Sequence, residues 1–562
     1  MPKLRRSPNP SVLHLRCADD RGGYHAEHRH RSRQRTGPGP VTASRVDNPP
    51  GVPRPALPDA VRRRLAPFDP RGDLRSWVAT AVIVAIAGVL RLLNLAQVKG
   101  KIFDELYYAT EAHDLLVHGI EWDEKTNAGK YVVHPPLGKW MIALGEWLFG
   151  YNEFGWRISA AVTGTVSVLI LVRVARRMFG STVLGCAAGL LMALDGMQLV
   201  LSRAALLDIF LMFFVLAAFG TLILDRDARR RRWLRALADG LDPTAPGKRG
   251  RPRFAVPWWR LATFALLGCA CAVKWSGVWY VVVFAALMLY WEAQTRRSAG
   301  VRRPWRDALL DETGWLVLGG AIVGAVYLAS WTGWFASDNG YLRHWLRDTG
   351  QREAPVIGAL QNLWHYHHEA LKFHTGLQTP HPYQSSAWQW LLLGRPVAFQ
   401  FHCFGTCGGS TPTLEVLLLG TPLLWWSFIP ALGALAWFGI ARRDWRAGTI
   451  GLGVIAGLLP WFYFAAADNR TMFSFYAIPA EPFLILAVVY VLGAIMAPAR
   501  VPARTGGAPE SGGDRRLIGA IVAGVYVLLV AACFAYFYPI YVGDTIPYAD
   551  WAARMWLGNR WI

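Results

Sequence analysis

Charge is scarce in this chain. Of 562 residues only 17% are Asp, Glu, Lys or Arg, against 53% hydrophobic and 13% aromatic, a balance foreign to a soluble chain of this length. Long stretches of alternating polarity are missing too, which excludes an outer-membrane type of β-barrel. The seven cysteines are too few and too scattered for a disulfide-built secreted module. The first 75 residues contain no apolar run, so they do not read as a signal peptide. No Gly-rich phosphate loop is present. The single Asp-x-Asp, Asp225-Arg226-Asp227, is embedded in DRDARRRRW, where it reads as a basic anchor rather than a metal–nucleotide site. Lysine is rare as well: Arg outnumbers it 50 to 9, the bias of a GC-rich bacterial genome.

What the chain has instead is long apolar runs. They lie near 76–98, 155–178, 182–201, 206–224, 259–273, 277–293, 314–335, 415–440, 447–465, 475–497 and 517–538, and most reach the roughly 18 to 25 residues that cross a bilayer core. The expected architecture is an all-α polytopic membrane protein with about eleven spans. The run LGKWMIALGEWLFG at 137–150 is short and interrupted by Lys139 and Glu146, so it reads as an interfacial helix. With the N-terminus inside, the inner loops hold 26 Lys and Arg in 87 residues, and the outer segments hold far fewer in about twice that length. The positive-inside rule therefore places the N-terminus in the cytoplasm and the C-terminus outside.

The formal charge of +21 does not indicate nucleic acid. Residues 1–75 carry 16 basic and 7 acidic side chains among Pro, Ser and His, and read as a disordered cytoplasmic tail near anionic lipid. A transmembrane domain follows over 76–540, and an extracytoplasmic segment over 541–562. Two outer segments, 99–154 and 336–414, are too long to be mere connections. Ten of the fourteen histidines lie in them. In LWHYHHEALKFH, the histidines 365, 367, 368 and 374 have no Cys or carboxylate at ligand spacing, so they read as the polar face of an interfacial helix rather than a metal site. Cys403 and Cys407, in the outer HCFGTCGG, form either a local disulfide or two free thiols.

Several motifs sit where chemistry is possible. IFDELYYA puts Asp104 and Glu105 directly after the first run, and a carboxylate at such a surface is suited to act as general base on a hydroxyl. YVVHPPLGKW carries His134 and Lys139 at a proline-made helix entry. Arg157 in EFGWRISAA, Arg203 and Asp208 in LSRAALLD, Lys274 in AVKWSG and Arg470 in DNRTMFSFYAIP all fall at outer ends of spans. Ionisable groups at that depth mark cavities and pathways, and four cations gathered in one leaflet suit an anionic lipid headgroup. Arg157 and Asp208 have a structural alternative, a pair with each other.

In this order, FDE, HPPLGK, the Arg of FGWRISA, SRAALLD, VKWSG and DNRTMFSFYAIPAEPF resemble the motifs of the protein O-mannosyltransferases, membrane glycosyltransferases of the C type, in their bacterial, actinobacterial form. The resemblance implies a C-type glycosyltransferase fold in a bacterial cytoplasmic membrane. It also implies transfer of mannose from polyprenyl-phosphate-mannose to Ser or Thr hydroxyls of exported proteins, with inversion. Asp104 would be the base and Glu105 its neighbour near the acceptor, while Arg157 and Lys274 would hold the donor phosphate. His134, Lys139, Arg203, Asp208 and Arg470 would line the site. Fixed cations would make a divalent metal unnecessary, so neither metal nor cofactor is expected. The expected partners are the lipid-linked donor, exported polypeptides, the bilayer and, with such acceptors, the protein export machinery. One alternative is a C-type enzyme acting on a cell-wall lipid or glycan. Another, of a different class, is a transporter or flippase for a lipid-linked sugar, though no internal repeat is visible in support of it.

Overall fold

The computed structural model describes residues 59–67, 73–497 and 512–561. Most of the tail expected at 1–75 lies outside them. Within them, Asp59–Leu65 forms helix α1, whose Leu65 packs with Trp233 and Ala299.

Helix follows helix because the apolar runs leave the backbone no partner but itself in lipid. The helices that follow are α2 (Leu74–Leu92), α3 (Glu105–Val117), α4 (Leu137–Phe149), α5 (Glu153–Phe179), α6 (Thr182–Ala193), α7 (Gly196–Leu201) and α8 (Leu207–Ala238). They continue with α9 (Trp258–Val273), α10 (Gly277–Ala299) and α11 (Pro304–Ser330). Between α11 and the next long helix come two short turns, α12 (Thr332–Ala336) and α13 (Trp345–Asp348), then α14 (Ile357–Gly376) and α15 (Ala387–Trp390). The chain ends through α16 (Pro422–Arg442), α17 (Trp445–Ala467), α18 (Glu481–Met496), α19 (Gly512–Val542) and α20 (Tyr548–Arg554).

Among the described residues, nine helices are long and apolar enough to span a membrane, and two expected spans are shorter apolar helices, α6 and α9. The reason at α6 is visible. Asp195 interrupts the run at 182–201, capping α7 through the Gln198 N–H at 3.0 Å. Its other oxygen takes the Thr421 N–H and the Trp425 indole, so the break is anchored to the start of α16. The apolar run at 415–440 likewise begins as strand, since β-propensity and apolarity look alike in sequence. Helix α8 and the Ser474–Met496 segment lie at the centre, 72% and 78% buried over their apolar windows, whereas α11 is only 11% buried and presents its sides outward.

The two long connecting segments, 99–154 and 336–414, are structured. The first contains α3, a two-residue ladder of β1 (Trp122–Asp123) with β2 (Ala128–Gly129), and α4. On α4, Lys139 and Glu146 point inward while Leu144, Trp147 and Leu148 are exposed, the reverse of a helix on a soluble protein. The second contributes β3 (Val397–Cys403), which pairs antiparallel with β4 (Pro412–Leu418), Val397 opposite Leu418 and Cys403 opposite Thr413. Cys403 and Cys407 are disulfide-bonded at the hairpin end. The C-terminal segment returns to this sheet: β5 (Thr545–Pro547) pairs with β4, and the Trp551 indole donates to Glu415 at 2.6 Å.

Asp225-Arg226-Asp227 is structural. Arg260 donates twice to Asp225 and Arg177 once to Asp227, and the Arg226 guanidinium lies 3.5 Å over the Trp445 ring.

Candidate active site

The adjacent carboxylates Asp104 and Glu105 have opposite environments. Glu105 is fully buried and saturated: Arg157 reaches both its oxygens at 2.8 Å, and the Ile102 and Ala205 N–H groups donate to it at 3.0 and 2.9 Å. Asp104, at the helix entry of α3, has no side-chain cap. Burial pushes its carboxyl up to about 6, with Asp208 and Glu111 adding to the effect and Lys274 opposing it. A half-buried carboxylate free of hydrogen bonds, with a proton affinity near neutrality, is what general-base work needs.

Two of the charges that act on it, Lys274 and Asp208, line a cavity of about 270 Å³, of which Asp104 itself is not a lining residue. The cavity's polar lining includes His134, Asp208, Lys274, His374, Arg470 and Tyr476, and its apolar lining includes Leu211, Trp279, Trp461 and Phe464. Lys274 reaches it because α9 ends at Val273 and the residue itself is extended before α10 begins. Its ammonium is 2.7 Å from Asp208 and 5.5 Å from the Tyr476 ring centroid. Arg470 donates to the His374 carbonyl at 2.8 Å and lies over Trp461 and Tyr476. His134 is placed by the two prolines that open α4, and Gly138 lets that helix pack closely: a Cβ there would stand 2.7 Å from a Leu207 methyl. Burial, helped by Lys274, holds His134 well below its ordinary value, and burial holds His374 down to about 4. Both rings are neutral hydrogen-bonding groups at neutral pH. Two cations over aromatic faces, with an apolar extension, suit a phosphate carrying a hydrocarbon tail.

Of the four cations expected to converge, Lys274 and Arg470 line the cavity. The other two differ from the sequence expectation. Each nitrogen of Arg157 is held by protein: Nε and Nη2 by Glu105, Nη1 by the Val98 carbonyl at 2.6 Å, and Nη2 also by the Gly100 carbonyl. Its alternative pairing with Asp208 is not formed, because Asp208 binds Lys274. Arg203 closes the end of α2, donating to the carbonyls of Leu90, Arg91, Leu93 and Asn94, as a cation at a helix C-terminus does. Lys139 is buried between Glu111, at 3.3 Å, and Glu121, not on the cavity. Glu105 is a clamp partner rather than a free second carboxylate.

Sequence reasoning missed His374 and Tyr476. His374 was read with its neighbours as an interfacial face, yet they separate: His365 stacks on Trp345, His367 bonds the Tyr327 hydroxyl, and His374 turns to the Val133 carbonyl. Tyr476 was inside a quoted motif, and an aromatic flanked by cations was the available signal. Among the described residues no three His, Cys, Asp or Glu are grouped to hold a metal ion.

Two family descriptions match the chain: "Dolichyl-phosphate-mannose-protein mannosyltransferase" over residues 133–239 and "C-terminal four TMM region of protein-O-mannosyltransferase" over 359–561. A Mycolicibacterium smegmatis protein named polyprenol-phosphate-mannose–protein mannosyltransferase is 40% identical over 502 residues, 87% of this chain and 94% of its own. A Mycobacterium tuberculosis protein of the same name is 40% identical over 511 residues, 88% and 93% of the two chains. In fold, the chain is similar to a solved structure of the S. cerevisiae protein O-mannosyltransferase Pmt1-Pmt2 complex bound to the sugar donor, with TM-score 0.62 at 14% identity over 86% of this chain and 92% of that one. With two relatives 40% identical over nearly their whole length, the chain belongs to the protein O-mannosyltransferase family.

Proposed function

We propose that this protein transfers one mannose from polyprenyl-phosphate-mannose to Ser or Thr hydroxyls of exported polypeptides. The reaction takes place at the outer face of a bacterial cytoplasmic membrane, with inversion at the sugar carbon. The observation that carries the reading is the unpartnered Asp104 carboxylate, close enough to feel the charges of Lys274 and Asp208, which with Arg470 line the cavity. Asp104 takes the hydroxyl proton as the oxygen attacks the anomeric carbon from the face opposite the phosphate. The carbon–oxygen bond to phosphate breaks, and the negative charge that grows on the leaving group is stabilised by Lys274 and Arg470. The donor-phosphate role assigned by sequence to Arg157 passes to Arg470, and His134 offers a neutral hydrogen-bonding ring, while the one N–H of neutral His374 is spent on the Val133 carbonyl. No metal is assigned to this step. The N-terminus lies in the cytoplasm and the C-terminus outside, a reading supported by the basic residues of the inner loops.

The experiment uses purified protein with mannose-labelled donor and three samples: a Ser/Thr-rich peptide, a cell-wall lipid and glycan extract, and sealed liposomes without acceptor. Label in the peptide supports the proposal. Label in the extract alone makes the protein a cell-wall glycosyltransferase, and label crossing the bilayer on its carrier makes it a flippase.

A further inference from the structure

Nothing bonded to Asp104 itself fixes the direction of its carboxylate, so its neighbours must. On one side Glu105 is locked by Arg157. On the other, Phe103 has φ +46°, in the left-handed region that a bulky L side chain avoids. Its ring is held in that unfavourable backbone by four others. Phe399 of β3 stacks on it at 4.8 Å and 7°, and Phe473, Phe475 and His381 meet it edge-on at 6.0, 5.9 and 6.3 Å. All four lie about 280 residues or more further along the chain. Phe475 also lies beneath Lys274, whose ammonium is 5.8 Å from the ring centroid. One aromatic nest therefore touches both the residue before the candidate base and the cation of the donor cavity. A side chain kept only to fill the core has no need of a strained backbone, whereas strain held by surrounding structure accumulates where geometry must be imposed.

We propose that Phe103 is a positioning residue: its ring, seated against Phe399, Phe473, Phe475 and His381, imposes the backbone that aims Asp104 toward Lys274. The inference rests on Asp104 being the base. It makes Phe399, in the other outer segment, a remote determinant of turnover.

The test uses full-length protein in detergent with labelled polyprenyl-phosphate-mannose and a Ser/Thr peptide, comparing Phe103→Leu, Phe399→Leu, their combination, Phe399→Tyr and Asp104→Asn. Phe399→Leu leaves residues 103–105 intact yet removes the stacked face. We expect kcat to fall about 10- to 100-fold, since a misplacement near 1 Å costs about that much, with donor KM within about twofold. The double variant falls no further than the worse single one, because both remove one contact. Phe399→Tyr keeps the ring and most of the rate. Loosening the nest also admits water to Asp104, so the acid limb of the rate moves to lower pH. Wild-type kcat and an unmoved limb in Phe399→Leu, whatever its melting temperature, overturn the proposal. If Asp104→Asn itself turns over normally, the base assignment is what fails.

Discussion

Lys274 is the residue through which donor binding and folding are most easily confused, because its ammonium serves both Asp208 and the cavity. Lys274→Met removes one partner of a buried pair and leaves Asp208 uncompensated, which costs about 3–5 kcal/mol of stability. The same change removes a charge-assisted hydrogen bond to phosphate, worth about 1.5–3 kcal/mol, so donor binding should weaken about 10- to 150-fold. The two effects separate in Lys274→Met/Asp208→Asn. With both charges gone, no uncompensated ion remains and most of the melting temperature should return, while donor binding stays weak. Asp208→Asn alone should bind donor at least as tightly as wild type, since it removes a carboxylate that repels phosphate. Trp275, Trp279 and Trp461 line the cavity, so quenching of intrinsic fluorescence by polyprenyl phosphate is a direct assay, read beside melting temperature on one preparation. A stable double variant that binds polyprenyl phosphate like wild type would refute the placement of the phosphate at Lys274.

Other outcomes follow from the same geometry. Asp104→Asn should lower transfer by about 10²-fold or more while donor binding survives. In the wild type, activity requires ionised Asp104, whose carboxyl is raised to about 6; kcat/KM should therefore be roughly tenfold lower at pH 5 than at pH 7, and a flat profile over that interval would speak against this base. Arg157→Ala strands Glu105 in the interior and should lose about 3–5 kcal/mol of stability, with normal donor affinity in the folded fraction, and Arg157→Lys should rescue it poorly because Lys lacks the planar fork. Unchanged melting with weakened donor affinity would return Arg157 to the phosphate. For orientation, cysteine introduced at Thr126 or Gln384 should react with an impermeant thiol reagent in intact cells and one at Ala245 should not; the reverse pattern would invert the topology.

The spans were legible because an apolar run that crosses a bilayer states its own length, and the site motifs because their residues cluster near span ends. Partners were not legible. Arg157 is 52 positions from Glu105 and Lys274 is 66 from Asp208, and an isolated cation in a sequence does not declare which acid it meets. Arg203 was least legible, since its acceptors are backbone carbonyls, which every residue supplies. The split at Asp195 hid inside an otherwise continuous apolar run, because one carboxylate counts little in a window average although its caps decide where the helix ends. Phe103 and Phe399 gave no signal either: aromatic residues are abundant in both outer segments, and their stacking depends on φ at a residue that sequence alone does not mark as strained.

The most direct measurement is a single turnover with excess purified protein, donor labelled in both mannose and lipid, and a Ser/Thr peptide, run for wild type and Asp104→Asn side by side. In the wild type one polyprenyl phosphate should be released for each mannose bound through oxygen to the peptide, and in the variant intact donor should stay bound. Equal turnover by both proteins, or polyprenyl phosphate released without mannose reaching the peptide, would contradict it.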